Sequence, residues 1–118
     1  MEDQVTIYHN PQCSKSRQAL QLIRDQGTEP AIIEYLKTPP DSPTLSGVLD
    51  ALGCQPRDLM RTGESLYSEL NLASDELSRA DLIEAMVTHP ILIERPIVTH
   101  AEQVRVGRPP VSVLDILP

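Results

Sequence analysis

The chain has 118 residues, 40% of them apolar and 23% charged, with a formal net charge of −7 at pH 7. That length is expected to form a single domain over residues 1–118 with its own core, and the balance excludes a disordered chain. The negative charge argues against binding to nucleic acid or anionic membranes, and it makes any cluster of cations informative.

Phe and Trp are absent and Tyr occurs three times, so Leu, Ile and Val must build the core. No run approaches the roughly 20 apolar residues of a membrane span. The start, MEDQVTIYH, lacks a basic region followed by an apolar stretch and does not read as a signal peptide. The expected location is the cytoplasm, whose reducing conditions keep Cys13 and Cys54 as thiols.

In chain order, Val5 to Tyr8 reads as a short strand and His9 to Gln12 as a loop whose Pro11 suits a turn. After Cys13, the positions of Ala19, Leu20, Leu22 and Ile23 follow helical spacing, and Gly27 supplies a stop. The segment PAIIEYL reads as a second, largely buried strand parallel to the first. After the KTPPDSPT loop, Ser42 is the expected cap and Pro43 the start of a helix carrying Leu45, Val48, Leu49 and Leu52 to Gly53.

Short helices are expected from Pro56 and around Leu66–Leu70, and SRAD at Ser78–Asp81 is a capping box leading into Leu82, Ile83, Met86 and Val87. Beyond His89-Pro90, extended segments are expected near Pro96–Val98 and Gln103–Val106, then a turn at Gly107 and a closing helix from about Pro110. The resulting α/β order is β-α-β, a helical insert, then β-β-α.

The chemistry converges on TIYHNPQCSKSRQAL. A cysteine reacts as its thiolate, which the unpaired N–H groups and dipole of a helix N-terminus favour. Cys13 sits at such a position, with Ser16 one turn on, Arg17 on nearly the same face and His9 in the preceding loop. The same N–H groups suit an oxyanion. A free cysteine is often a small buried hydrophobe. Cys13 falls off the Ala19/Leu20/Ile23 stripe and fits that description poorly, whereas Cys54, after Gly53, fits it well.

His9, Cys13, His89 and His100 are too scattered for a metal-ligand pattern, and His89 and His100 read as ordinary surface or turn residues. CSKSR is too short for a tyrosine-phosphatase-like cysteine-to-arginine loop. Serine rather than cysteine three positions after Cys13 means that no C-x-x-C redox pair exists, so the motif cannot resolve a local disulfide by itself.

Together, IYHNPQCSKSR, GTEPAIIEYLKTPP, LMR, HPILIERPIV and VGRPP resemble the glutaredoxin-coupled arsenate reductase family nearly end to end, closest to its short arsenate-reductase-like branch. The resemblance implies a thioredoxin/glutaredoxin-like mixed sheet flanked by helices, with a helical insert. It implies Cys13 as nucleophile, His9 and Ser16 as residues lowering its pKa, and Arg61, Arg95 and Arg108 as oxyanion-binding groups, with a cis-proline at Pro96. Guanidinium forks suit such a role because they donate paired, charge-assisted hydrogen bonds at any working pH.

It further implies arsenate or a similar oxyanion as substrate, glutathione as co-substrate, glutaredoxin as partner, and no tightly bound cofactor or metal. Two alternatives stand beside it. One is a monothiol glutathione-dependent oxidoreductase; the other is a non-catalytic regulatory module of the same fold. The intact set of Cys13 and three arginines favours chemistry over binding alone.

Overall fold

The computed structural model describes residues 4–118, so the first three residues of the MEDQVTIYH stretch lie outside the described residues. The backbone packs into two compact units, one formed by residues up to Thr38 together with Arg95–Pro118, the other by Pro39–Glu94.

The first unit holds a four-stranded sheet in the order β2-β1-β3-β4. Strand β1, Val5–His9, alternates buried and half-buried positions, so Val5, Ile7 and His9 share the covered face. Helix α1, Ser14–Asp25, buries Ser16, Ala19, Leu20 and Ile23, the three- and four-residue spacing of one helical face. Strand β2, Ala31–Glu34, pairs parallel to β1, with His9 opposite Glu34. Strands β3, Ile97–His100, and β4, Gln103–Val106, continue the sheet antiparallel.

Val5, Ile7, Ala19, Leu20, Ile23, Val98, Val113 and Ile116 form one apolar cluster. The mixed α/β sheet and its β-α-β then β-β order agree with the sequence-based expectation.

Local expectations change at β2, at the closing helix and at the cap of the first helix of the second unit. The second strand is not largely buried: β2 lies at the sheet edge, three of its four residues are exposed, and Ile32 keeps 40% of its surface. An apolar run signals burial only where both flanks are covered, and an edge strand has one neighbour. The closing helix is a 3-10 segment, Pro110–Ile116; at three residues per turn its buried Val113 and Ile116 fall on one side.

The chain reverses between β3 and β4 at Ala101–Glu102, and Gly107, which follows β4 as expected, also meets a demand for space. Its N–H donates to the Pro96 carbonyl at 2.8 Å, and a Cβ there would lie 2.7 Å from Pro96 Cγ.

The second unit is helical. Helix α2, Ser42–Leu52, is capped by Asp41 rather than Ser42, whose own position is the first of the helix; Asp41 Oδ1 accepts the Thr44 N–H at 2.9 Å. Pro43 occupies the first turn and Gly53 ends the helix in the left-handed region with φ 66°. A 3-10 turn at Pro56–Leu59 and helix α3, Ser65–Glu69, follow.

Helix α4, Arg79–Thr88, starts with the expected capping box: Ser78 Oγ accepts the Asp81 N–H and Asp81 Oδ2 accepts the Ser78 N–H. Leu45, Val48 and Leu49 of α2 and Leu82, Ile83 and Met86 of α4 supply buried apolar groups to this unit, whose two helices touch. Among the described residues, no helix is long and apolar enough to cross a membrane.

Candidate active site

Cys13 occupies the N-cap of α1 with an extended backbone, φ −94° and ψ 123°, and its carbonyl accepts the Arg17 N–H, the first bond of the helix. The loop that delivers it is tied by Asn10. The Cys13 N–H donates to the Asn10 carbonyl at 3.0 Å, the Gln12 N–H donates to Asn10 Oδ1 at 3.0 Å, and the Asn10 N–H donates to Ser16 Oγ at 3.0 Å. Arg17 closes the outer side by donating to the Pro11 carbonyl at 2.8 Å.

Cys13 is 8% exposed. Burial pushes its thiol pKa up, but the Ser16 N–H, the charge of Arg95, the Lys15 N–H and a hydrogen bond from Arg95 together outweigh it and hold the thiol below its ordinary value. The free amides of a helix first turn thus stabilise a sulfur anion, as their position on the macrodipole predicts. Arg108 adds a further donor, with Nη2 3.9 Å from Sγ while its Nε donates to the Arg95 carbonyl at 2.8 Å.

Ser16 and His9 meet each other. His9 Nδ1 and Ser16 Oγ share a hydrogen bond of 2.6 Å, and both residues are buried. What Ser16 gives the sulfur is its backbone N–H. Burial pushes the His9 pKa down, Glu34 opposes this, and Arg24 and Arg17 reinforce it, so imidazole rather than imidazolium is the favoured form at neutral pH.

Cys13, His9, Ser16, Arg95, Pro96 and Arg108 all belong to the first unit, and the Arg95-Pro96 peptide bond is cis. Arg61 belongs to the second unit, where its N–H donates to the Leu92 carbonyl at 2.7 Å and its Nη1 pairs with Glu64 Oε2 at 3.0 Å.

Cys54 is also a free thiol, half-buried, and burial followed by the negative charge of Asp58 pushes its pKa up, with Arg79 opposing. The two cysteines are shifted in opposite directions, Cys13 toward the thiolate and Cys54 toward the thiol. The three contacts of Asn10 are the feature that reading for chemistry passed over. Its signal was present in the Asn-Pro pair, since an asparagine oxygen commonly accepts the N–H two residues on.

A model of the ArsC family matches residues 8–116. The uncharacterised protein YfgD of Escherichia coli K12 is 52% identical over 118 residues, 99% of each chain. An arsenate reductase of Escherichia coli K12 is 47% identical over 114 residues, covering 97% of this chain and 81% of that protein. Among solved structures, an arsenate reductase from Vibrio cholerae superposes with a TM-score of 0.94 at 50% identity, over 97% of this chain and 98% of its own. The match carries the thioredoxin-like fold with it, and the chain belongs to the ArsC family.

Proposed function

We propose that this protein reduces arsenate to arsenite, with Cys13 as the nucleophile. The observation that carries the reading is the sulfur at the N-cap of α1, whose thiol pKa the amides of Ser16 and Lys15 and the guanidinium of Arg95 lower against the effect of burial. A thiolate beside positive donors both attracts a tetrahedral oxyanion and attacks it.

In the first step the Cys13 thiolate bonds to arsenic and one arsenate oxygen leaves as hydroxide, taking a proton to become water. Glutathione then condenses on arsenic with loss of a second water. A glutaredoxin thiolate attacks the glutathione sulfur, forming a mixed disulfide, and the electron pair of the broken As–S bond reduces As(V) to As(III). Hydrolysis of the remaining Cys13–arsenic bond releases arsenite and the thiol. Two thiols from outside the chain thus supply the two electrons, a scheme that the absence of a C-x-x-C pair fits.

Arg95 and Arg108 neutralise charge on the arsenate oxygens as it shifts during attack, and Arg61 is proposed as a third guanidinium for the same anion. His9 and Ser16 support the sulfur through the first turn of α1. A reducing cytoplasm is the setting this chemistry needs.

The test is arsenite formation by purified protein supplied with arsenate, glutathione and glutaredoxin. Wild type is expected to turn over and Cys13→Ser to be inactive. Wild type that yields no arsenite yet reduces a glutathionylated peptide would replace this reading with that of a monothiol oxidoreductase.

A further inference from the structure

We infer that Asn10 is a positioning residue for the nucleophile: its carbonyl and Oδ1 take up the amides of Cys13 and Gln12, and its own N–H braces Ser16, so the loop presents one oriented sulfur. The inference rests on the reading of Cys13 as nucleophile and adds how the preceding loop fixes it.

In an open anion-binding loop, successive amides point at the ligand. Here two of them point back into the loop. The Cys13 N–H is consumed by the Asn10 carbonyl and the Gln12 N–H by Asn10 Oδ1, each at 3.0 Å. The amides directed at the sulfur are those of Lys15 and Ser16, in the first turn of α1. An N–H···S contact weakens steeply as its angle opens, so the value of those amides depends on where the loop sets the Cys13 backbone.

The third contact runs to the same turn, because the Asn10 N–H donates to the hydroxyl of Ser16, the residue whose amide faces the sulfur. Asparagine therefore tethers both ends of the segment that carries Cys13. Pro11, with its fixed φ, and the side-chain oxygen of Asn10 together limit the loop to a narrow set of conformations.

The Oδ1 contact to Gln12 lies at the surface, where water replaces a lost acceptor at little cost. Loss of that acceptor is therefore expected to register at the sulfur and hardly at all in global stability. This difference separates positioning from a purely structural role.

The experiment is the pH profile of iodoacetamide alkylation at Cys13, followed in a Cys54→Ser background for the parent, Asn10→Ala and Asn10→Ser, with the melting temperature of each. The parent is expected to titrate below an ordinary thiol. In Asn10→Ala the midpoint is expected to rise by about half a pH unit or more, with little change in melting temperature. Asn10→Ser, whose hydroxyl forms the same turn more weakly, is expected to fall between.

A parent with a low midpoint and an Asn10→Ala variant that matches it overturns the inference, whether or not the melting temperature falls. A parent that titrates like an ordinary thiol overturns instead the reading of Cys13 as an activated nucleophile. If Asn10→Ala does not fold, Asn10→Ser decides: a raised midpoint supports positioning, and an unchanged one overturns it. Arsenate takes no part in the assay, so the result is independent of whether arsenate is the substrate.

Discussion

Arg108 sets one guanidinium nitrogen 3.9 Å from the sulfur of Cys13 across 95 residues of sequence, and its Nε holds the Arg95 carbonyl at 2.8 Å. One arginine thus reaches the Cys13 sulfur and steadies the backbone of another. The two are expected to divide their work. Arg95, whose charge and hydrogen bond lower the Cys13 pKa, sets the ionisation of the thiol. Arg108, which is not among the causes that lower that pKa, is expected to act chiefly on the oxyanion.

Arg95→Ala is therefore expected to raise the alkylation midpoint of Cys13 more than Arg108→Ala does. Both variants are expected to lose roughly ten- to a hundred-fold in kcat/KM for arsenate, the cost of one charge-assisted donor at about 1.5–3 kcal/mol. Steady-state kinetics with glutathione and glutaredoxin in excess checks the second point. Equal midpoints in the two variants would contradict the division of roles.

Cys54 is expected to be dispensable. Burial and the Asp58 charge raise its pKa while Cys13 is held low, so a neutral alkylating reagent near pH 7 labels Cys13 first. Peptide mapping after brief labelling, together with retained turnover in Cys54→Ser, tests this. Loss of activity equal to that of Cys13→Ser would show that the second thiol takes part.

The pair formed by His9 and Ser16 predicts an acid-sensitive stability. The folded-state pKa of His9 is lowered from 6.5, chiefly by burial. Its neutral form is the one the fold accepts, so its contribution is fully present above 6.5 and is lost as pH falls through the depressed folded value. Urea denaturation at pH 7 and pH 5 should show a decline at the lower pH that is smaller in His9→Gln. Ser16→Ala is expected to cost about 1–3 kcal/mol at pH 7, because it removes the shared partner of His9 and the Asn10 N–H from a buried site. Parallel stability profiles for wild type and His9→Gln would exclude His9 as the cause.

Gly107 fills a space that admits no side chain, since a Cβ there would lie 2.7 Å from Pro96 Cγ and 3.4 Å from the Ala19 Cβ. Gly107→Ala is expected to cost about 1–3 kcal/mol through overpacking. Because Arg108 is the next residue, activity is expected to fall further than stability alone explains. A variant with wild-type melting temperature and wild-type kcat/KM would remove this constraint.

Helix entry and the alternation of short strands are local properties, and they were legible in the chain. The apolar spacing of α1, the capping box at Ser78 and Asp81, and the extended runs on either side of Ala101 all rest on contacts within a few residues. The lowered pKa of Cys13 was legible for the same reason: the amides that favour its thiolate belong to its own helix, and their dipole is a property of that segment.

The exposure of β2 was not legible, because an apolar run does not say how many neighbours a strand has, and the sheet order placed β2 at an edge. Nor was the reason for Gly107, which is the approach of Pro96 from another strand end. The sequence by itself determined that Cys13 stands at the entry of a helix and that it has no C-x-x-C partner. Only the tertiary structure decided that Arg95 and Arg108 meet the sulfur and that the Ser16 hydroxyl serves His9 and Asn10, because those contacts join positions whose distance in space no local pattern encodes.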